Sequence, residues 1–105
     1  MTYIYEIATT KYDADKLLFR KILGKLQSLC KISDGYMLEE PVSKFGWSFF
    51  QMLMKTNFHL AIEEEFSDMI KKSKGSKPQE KFTDFLLSYL ENDGCKIKLK
   101  LLEFN

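Results

Sequence analysis

The sequence predicts a single α+β domain over residues 1–105, with about four mainly antiparallel strands and three helices. From Cys95 to Leu101, apolar residues alternate with three lysines, which is typical of a strand that buries one face. Residues 3–7 carry a second strand pattern, and apolar residues between the two recur at helical spacing. We therefore expect the terminal strands to pair, with the helices packed on their apolar face.

Composition limits the class of protein. Of the 105 residues, 45% are hydrophobic and 14% aromatic, which is enough for a core without disulfides or metals. The sequence shows neither a signal peptide nor an apolar run of about 20 residues, the length that spans a bilayer. The two cysteines, Cys30 and Cys95, lie far apart and do not form a disulfide framework. A cytoplasmic protein that does not bind membranes is the expectation.

The first strand is predicted over residues 2–8 and is followed by a long helix. Asp13 or Asp15 is expected to cap that helix, because a short carboxylate accepts the unpaired N–H groups of a first turn. Apolar residues at three- and four-residue spacing extend the helix to about Lys31. The sequence Ser33-Asp34-Gly35 then ends it.

Residues 36–55 are compatible with two structures. In the first, residues 36–40 and 47–55 form a hairpin, with Pro41 ending one strand and residues 43–46 turning the chain. In the second, Ser43 caps a helix over residues 44–55. The high β-propensity of tryptophan and phenylalanine favours the hairpin.

Two further helices are predicted, over residues 57–73 and from Pro78 to about Asn92, where Ser76 and Gln79 have the spacing of a capping box. With the hairpin, the element order becomes β-α-β-β-α-α-β, which is the ferredoxin-like order with its second helix doubled. If residues 36–55 are helical instead, the fold is mostly α with a two-stranded terminal sheet. The ferredoxin-like order is an architectural analogy and implies no function.

The sequence contains no recognisable motif of catalytic residues. Its one histidine, His59, is expected at the surface or as a helix cap, because no nucleophile stands in a motif with it. Histidine and cysteine are too few and too scattered for a common zinc site, and the glycines are too isolated for a phosphate-binding loop. The prediction is a protein that is not an enzyme and uses no metal or cofactor; the alternative is a small enzyme whose site is assembled from distant residues.

Charge is unevenly distributed along the chain. The net charge is +1, but residues 39–68 hold six anions and two cations, while both flanking segments are net positive. Within the acidic segment, residues 45–54 are rich in aromatic and methionine side chains, more than one face of an element buries. Aromatic side chains inside a charged margin are typical of protein-binding surfaces.

These patterns predict a protein-binding module that acts by surface complementarity. An inhibitor or a toxin-neutralising immunity protein is the expected role, and a basic toxin or nuclease is the expected partner. The candidate partner-binding residues combine acidic and aromatic side chains: Glu39, Glu40, Trp47, Phe49, Glu63, Glu64 and Asp68.

Nucleic-acid binding is the alternative function. It would use Lys96, Lys98 and Lys100 of the last strand with Tyr3 and Tyr5 as stacking platforms. The cations of the first helix would extend that surface: Lys16, Arg20, Lys21 and Lys25. Lysines also keep an edge strand from aggregating, and this would explain Lys96, Lys98 and Lys100 without any ligand.

Overall fold

A computed structural model describes residues 2–104 and confirms the α+β fold. Within this range the chain forms one five-stranded antiparallel sheet and four helices. The elements in chain order are β1 (Tyr3–Thr9), α1 (Tyr12–Leu29), β2 (Tyr36–Leu38), β3 (Val42–Lys44), β4 (Trp47–Met54), α2 (Thr56–Glu65), α3 (Ser67–Lys71), α4 (Pro78–Asn92) and β5 (Lys98–Phe104).

The strands are ordered β2-β4-β1-β5, and β3 pairs with the same edge of β4 as β2 does. The terminal strands β1 and β5 pair, as predicted, from Tyr3 opposite Phe104 to Ala8 opposite Lys98. Since β4 is antiparallel to both β1 and β2, these two run parallel with β4 between them. This split β-α-β arrangement is the ferredoxin-like one, so the mostly α alternative is wrong.

Residues 36–55 form the hairpin rather than the helix. Its first arm is divided into β2 and β3 around Pro41, because proline has no N–H to donate to a strand ladder. The turn into β4 contains only Phe45 and Gly46, with φ angles of 52° and 80°. A two-residue turn of this hand matches the twist of the two strands, and glycine adopts it without steric cost.

The start of α1 differs from the prediction. Lys11 occupies the N-cap position, and Asp13 and Asp15 both lie inside the first turn. The Thr9 hydroxyl accepts a hydrogen bond from the Lys11 N–H at 3.0 Å and donates one to the Asp15 carboxylate. The end of β1 therefore fixes the first turn of the helix, which a pattern within the helix does not reveal.

The predicted helix over residues 57–73 is two helices that meet at Phe66. The chain leaves helical geometry there, with a φ of −117°, and the Phe66 ring packs against Phe85 and Tyr89 of α4.

The predicted capping box at the start of α4 uses a different residue. Glu80 rather than Gln79 reaches back, and its Oε1 accepts the Ser76 N–H at 2.9 Å. This and neighbouring hydrogen bonds lower the pKa of Glu80.

The helices cover one face of the sheet and build the core there. Gly35 lets the chain pack closely against α2, since a Cβ at this position would lie 2.7 Å from the Phe58 ring. No helix in the described part of the chain combines the length and apolarity needed to cross a membrane. The buried residues of this covered face are Tyr3, Tyr5, Ile7, Phe50, Met52 and Met54 of the sheet, with Phe19, Ile22, Leu23, Leu26, Phe58, Ile62, Phe82, Phe85, Leu86 and Leu90 of the helices.

Candidate functional site

The opposite side of the sheet carries no helix, and we call it the open face. Because side chains alternate along each strand, every second residue of the paired strands lies on it. Its members follow from the strand register and form four rows: Met37, Leu53, Ile4 and Glu103; Gln51, Glu6 and Lys100; Val42, Phe49, Ala8 and Lys98; Lys44 and Trp47.

The open face exposes apolar side chains in two rows, one on each side of the polar row of Gln51, Glu6 and Lys100. Met37 and Val42 are each more than half exposed, at 55% and 56%. Phe49 and Leu53 are half-buried beside them. Large apolar side chains that remain in water within a polar surrounding are typical of a site that another molecule covers.

A groove of about 400 Å³ lies on the margin of the open face beside the broken first arm of the hairpin. The Glu39 N–H donates to the Gln51 carbonyl at 2.9 Å, which holds this segment against β4 just before Pro41. Acidic and apolar side chains share this concave surface with Lys44 and Gln51. The groove is lined by Glu6, Glu39, Glu40, Val42, Lys44, Phe49, Phe50 and Gln51.

The opposite margin of the open face, along β5, is mainly cationic. Lys98 reaches across β1 to place its Nζ 4.9 Å from the centre of the Trp47 ring. It crosses at Ala8, which pairs with Lys98 on one side and with Phe49 on the other. The small Ala8 side chain leaves room for that crossing, and Lys100 pairs with Glu6 in the next row. The charge on the open face thus changes from the carboxylates of Glu39 and Glu40, between β2 and β3, to the ammonium groups of β5.

The predicted partner-binding residues divide into two groups. Glu39, Glu40 and Phe49 line the groove, and Trp47 lies next to Phe49 in the adjoining row of the open face. The acidic residues of α2 and α3 belong to the helical layer on the other side of the sheet: Glu63, Glu64 and Asp68. The structure therefore brings together four of the seven residues, and the remaining three do not extend their surface.

Of the second group, Glu63 is engaged within the fold. Its Oε1 accepts from the Tyr3 hydroxyl at 3.5 Å, and its Oε2 lies 3.4 Å from Nδ1 of His59. Glu64 and Asp68 are exposed. Glu63 thus has a structural role, while the other two are available only on the helical surface.

The prediction that His59 lies at the surface or caps a helix is wrong. His59 is 1% exposed and sits one turn inside α2, with its ring stacked on Tyr3 at 4.5 Å and an interplanar angle of 6°. Its ring also meets Phe82 edge to face at 6.2 Å. The helix contacts both the sheet and α4, so its buried stripe is wider than the spacing of Phe58 and Ile62 indicates.

Tyr3 and Tyr5 are not stacking platforms for a ligand. Both are buried on the covered face, and the Tyr5 hydroxyl lies 2.9 Å from Oγ1 of Thr83. Burial raises the pKa of Tyr3 to about 12 and raises that of Tyr5 further. Lys98 and Lys100 lie on the opposite face, because they pair with Ala8 and Glu6 rather than with the tyrosines.

Within residues 2–104 no three or more His, Cys, Asp or Glu side chains come close enough to hold a metal ion. Cys95 is fully buried, and burial raises the pKa of its thiol to about 11. That shift disfavours the thiolate, the form that acts as nucleophile.

Large apolar members of the open face that were not among the predicted partner-binding residues include Met37, Val42 and Leu53. Strand register identifies them, and the single sequence did not supply the register because it left both a hairpin and a helix possible for residues 36–55. Comparisons of the chain with protein-family models, with curated proteins and with solved structures return no match.

Proposed function

We propose that the protein is a protein-binding module that acts by surface complementarity through the open face. The observation that carries the proposal is a sheet side without helices that exposes large apolar side chains among charged ones. Apolar side chains exposed within a polar rim are typical of protein-binding surfaces. Trp47 and Phe49 are neighbours on this face of β4, and both residue types are enriched where partners bind.

The partner should be basic as well as apolar. Glu39 and Glu40 are both exposed beside the groove, and they offer carboxylates to a cationic protein surface. A basic toxin or nuclease has this chemistry, and an inhibitor that covers its cationic cleft is the role that fits. Charges at such a margin mainly accelerate and orient the encounter, while the aromatic side chains of Trp47 and Phe49 would hold the complex together.

The sheet edges favour a partner that binds the face over one that adds a strand. On one side, Pro41 divides the outer strand into two pieces of three residues. On the other, β5 carries lysines, and its register shifts opposite Ile4 and Tyr5. Broken strands, lysines and bulges all hinder pairing with another chain.

Charge reversal at the two acidic groups tests the proposal. The tagged chain is expressed in its source cell, its protein partner is recovered and purified, and binding is then titrated with both purified proteins. Changing Glu39 and Glu40 together to lysine should weaken binding by about 10-fold or more, mostly through slower association. The matched control changes Glu64 and Asp68 to lysine, which alters the same number of charges on the helical layer.

Control binding that equals wild type, together with weakened binding of the open-face variant, supports the proposal. Equal weakening by the two pairs would show that overall charge decides binding. Loss of binding only in the control variant would move the site to the helices. Recovery of no protein partner would remove the proposal altogether.

Nucleic-acid binding remains a second candidate because exposed Lys98 and Lys100 share the open face with Trp47 and Phe49. Carboxylates share that face as well, and the cations of α1 lie in the helical layer rather than beside these lysines. Fluorescence anisotropy with labelled RNA and DNA decides between the candidates. True nucleic-acid binding should weaken steeply as salt increases, and Lys98→Glu should abolish it.

A further inference from the structure

The tip of the β3–β4 hairpin exposes a phenylalanine. Phe45 is fully exposed, and no ring contact involves it in the described part of the chain. It occupies the first position of the two-residue turn, with a φ of 52°. Its neighbour Lys44 is exposed as well.

Phe45 strains its own turn, and its side chain contributes no burial to the fold. A left-handed backbone conformation is costly for a bulky residue, and turns of this type prefer asparagine, aspartate or glycine at that position. A fully exposed benzyl group gains nothing from the hydrophobic effect until something covers it. The hairpin therefore offers no packing that offsets the cost of the backbone conformation.

We propose that Phe45 is an anchor residue that inserts into an apolar pocket of the protein partner. This inference rests on the proposed function, since the hairpin that carries Phe45 also supplies Val42 and Trp47 to the open face. The turn holds the side chain at the end of a paired hairpin, so little conformational freedom is lost on binding. Aromatic anchors of this kind carry much of the affinity of protein interfaces.

The chemistry around the tip specifies the pocket. Lys44 precedes Phe45 and pairs across the hairpin with Trp47, whose ring contacts the Lys98 ammonium group. Lys44 therefore places a cation next to Phe45, whereas Glu39 and Glu40 precede Pro41 on the same arm of the hairpin. The partner should present an apolar pocket wide enough for one benzyl group, with carboxylates on its rim near Lys44.

Site-specific photo-crosslinking in the source cell locates the contact. A benzoylphenylalanine replaces Phe45, Val42 or Leu17, one residue at a time, in the full chain. Leu17 on α1 is the matched control, because it is 74% exposed and apolar but lies in the helical layer. Positions 45 and 42 should crosslink to the same protein, and position 17 should not.

Binding of the purified crosslinked protein then measures the contribution of the side chain. Phe45→Ala should weaken binding by about 30-fold or more, the level that defines an anchor residue. Phe45→Gly should weaken it at least as much and raise the thermal midpoint of unfolding by a few degrees, because glycine suits the turn. A purely structural phenylalanine would give the opposite thermal result.

The outcomes separate this inference from the proposed function. A crosslink from position 42 but not from 45, or unchanged binding by Phe45→Gly, overturns the anchor and leaves the docking face standing. A crosslink from position 45 alone supports the anchor and removes the open face from the interface. Crosslinks to nucleic acid, the same products from all three positions, or no product at all would overturn both.

Discussion

The two sides of the sheet are made by the same strands but have different physical roles. On the covered face, Tyr5, Ile7 and Met52 are fully buried against three helices. On the open face, Ile4, Phe49 and Leu53 alternate with them along the same strands and remain partly in water. The period of two residues therefore separates the side chains that form the core from those on the proposed docking surface, which alternate along each strand.

This separation explains why charge is tolerated on only one side. Glu6, Lys98 and Lys100 lie on the open face, where water or a partner solvates them. In the described part of the covered face, every buried polar side-chain atom has a hydrogen-bond partner. Substitutions on the two faces should thus affect different measurements.

The largest effect is expected from a matched pair of isoleucines on β1. Ile7→Ala should lower the free energy of unfolding by about 3 to 4 kcal/mol, because it leaves a cavity in a close-packed core. Ile4→Ala removes the same atoms from the half-buried open face and should cost about 1 kcal/mol. Urea unfolding monitored by circular dichroism measures both. Equal losses would contradict the difference between the faces.

A smaller loss is expected at His59. His59→Ala removes the ring that stacks on Tyr3 and the hydrogen bond to Glu63, and should cost about 2 to 3 kcal/mol. Asn57→Ala, at an exposed position of the same helix, is the control and should stay within about 0.5 kcal/mol of wild type. A change at His59 as small as that of the control would show that its burial is not coupled to stability.

Alkaline pH should unfold the molecule through its covered face. Burial raises the pKa of Cys95 from 9.0 to about 11 and that of Tyr3 from 10.0 to about 12. The unfolded chain therefore loses these protons at lower pH than the native one. The stability is fully present below pH 9 and is lost progressively as the pH rises through 11 and 12.

Urea titrations between pH 8 and pH 12 measure this loss. Tyr3→Phe removes one of the ionising groups, so its stability should decline less steeply above pH 10 than that of wild type. Parallel curves for the two proteins would show that ionisation of Tyr3 does not contribute.

The smallest effect concerns the open face itself. A double-mutant cycle of Trp47→Ala and Lys98→Ala should give a coupling of about 0.5 to 1 kcal/mol, as expected for an exposed cation–π pair. Lys100→Ala is the control for charge, because its partner in the register is Glu6 rather than the tryptophan ring. Coupling of the same size between Trp47 and Lys100 would point to a general charge effect.

The sequence was sufficient to predict a helix or strand wherever the apolar pattern is both local and amphipathic. The alternation from Cys95 to Leu101 and the strand pattern over residues 3–7 predicted the paired terminal strands. The strand β3 was missed because its three residues are all exposed and carry no buried face to mark them. Pattern arguments depend on burial, so short exposed elements escape them.

The remaining differences arise from contacts between elements. The interior position of His59 depends on α2 touching two neighbours, and the break at Phe66 depends on the rings of α4. Trp47 and Phe49 were predicted from composition, but the hairpin register was needed to place Phe49 beside Glu39 in the groove and Trp47 in the adjoining row. Phe45 lay in the predicted turn, and its exposure follows only from the two-residue geometry of that turn.

The pairing of β1 with β5 also governs how the chain folds. Tyr3 meets Phe104, so a central strand obtains its second neighbour from nearly the far end of the described chain. Contacts between such distant segments slow folding, because a long loop must close before they form. Until β5 arrives, one edge of β1 is unpaired and open to pairing with another chain. Aggregation during refolding should therefore depend on how quickly the last strand docks.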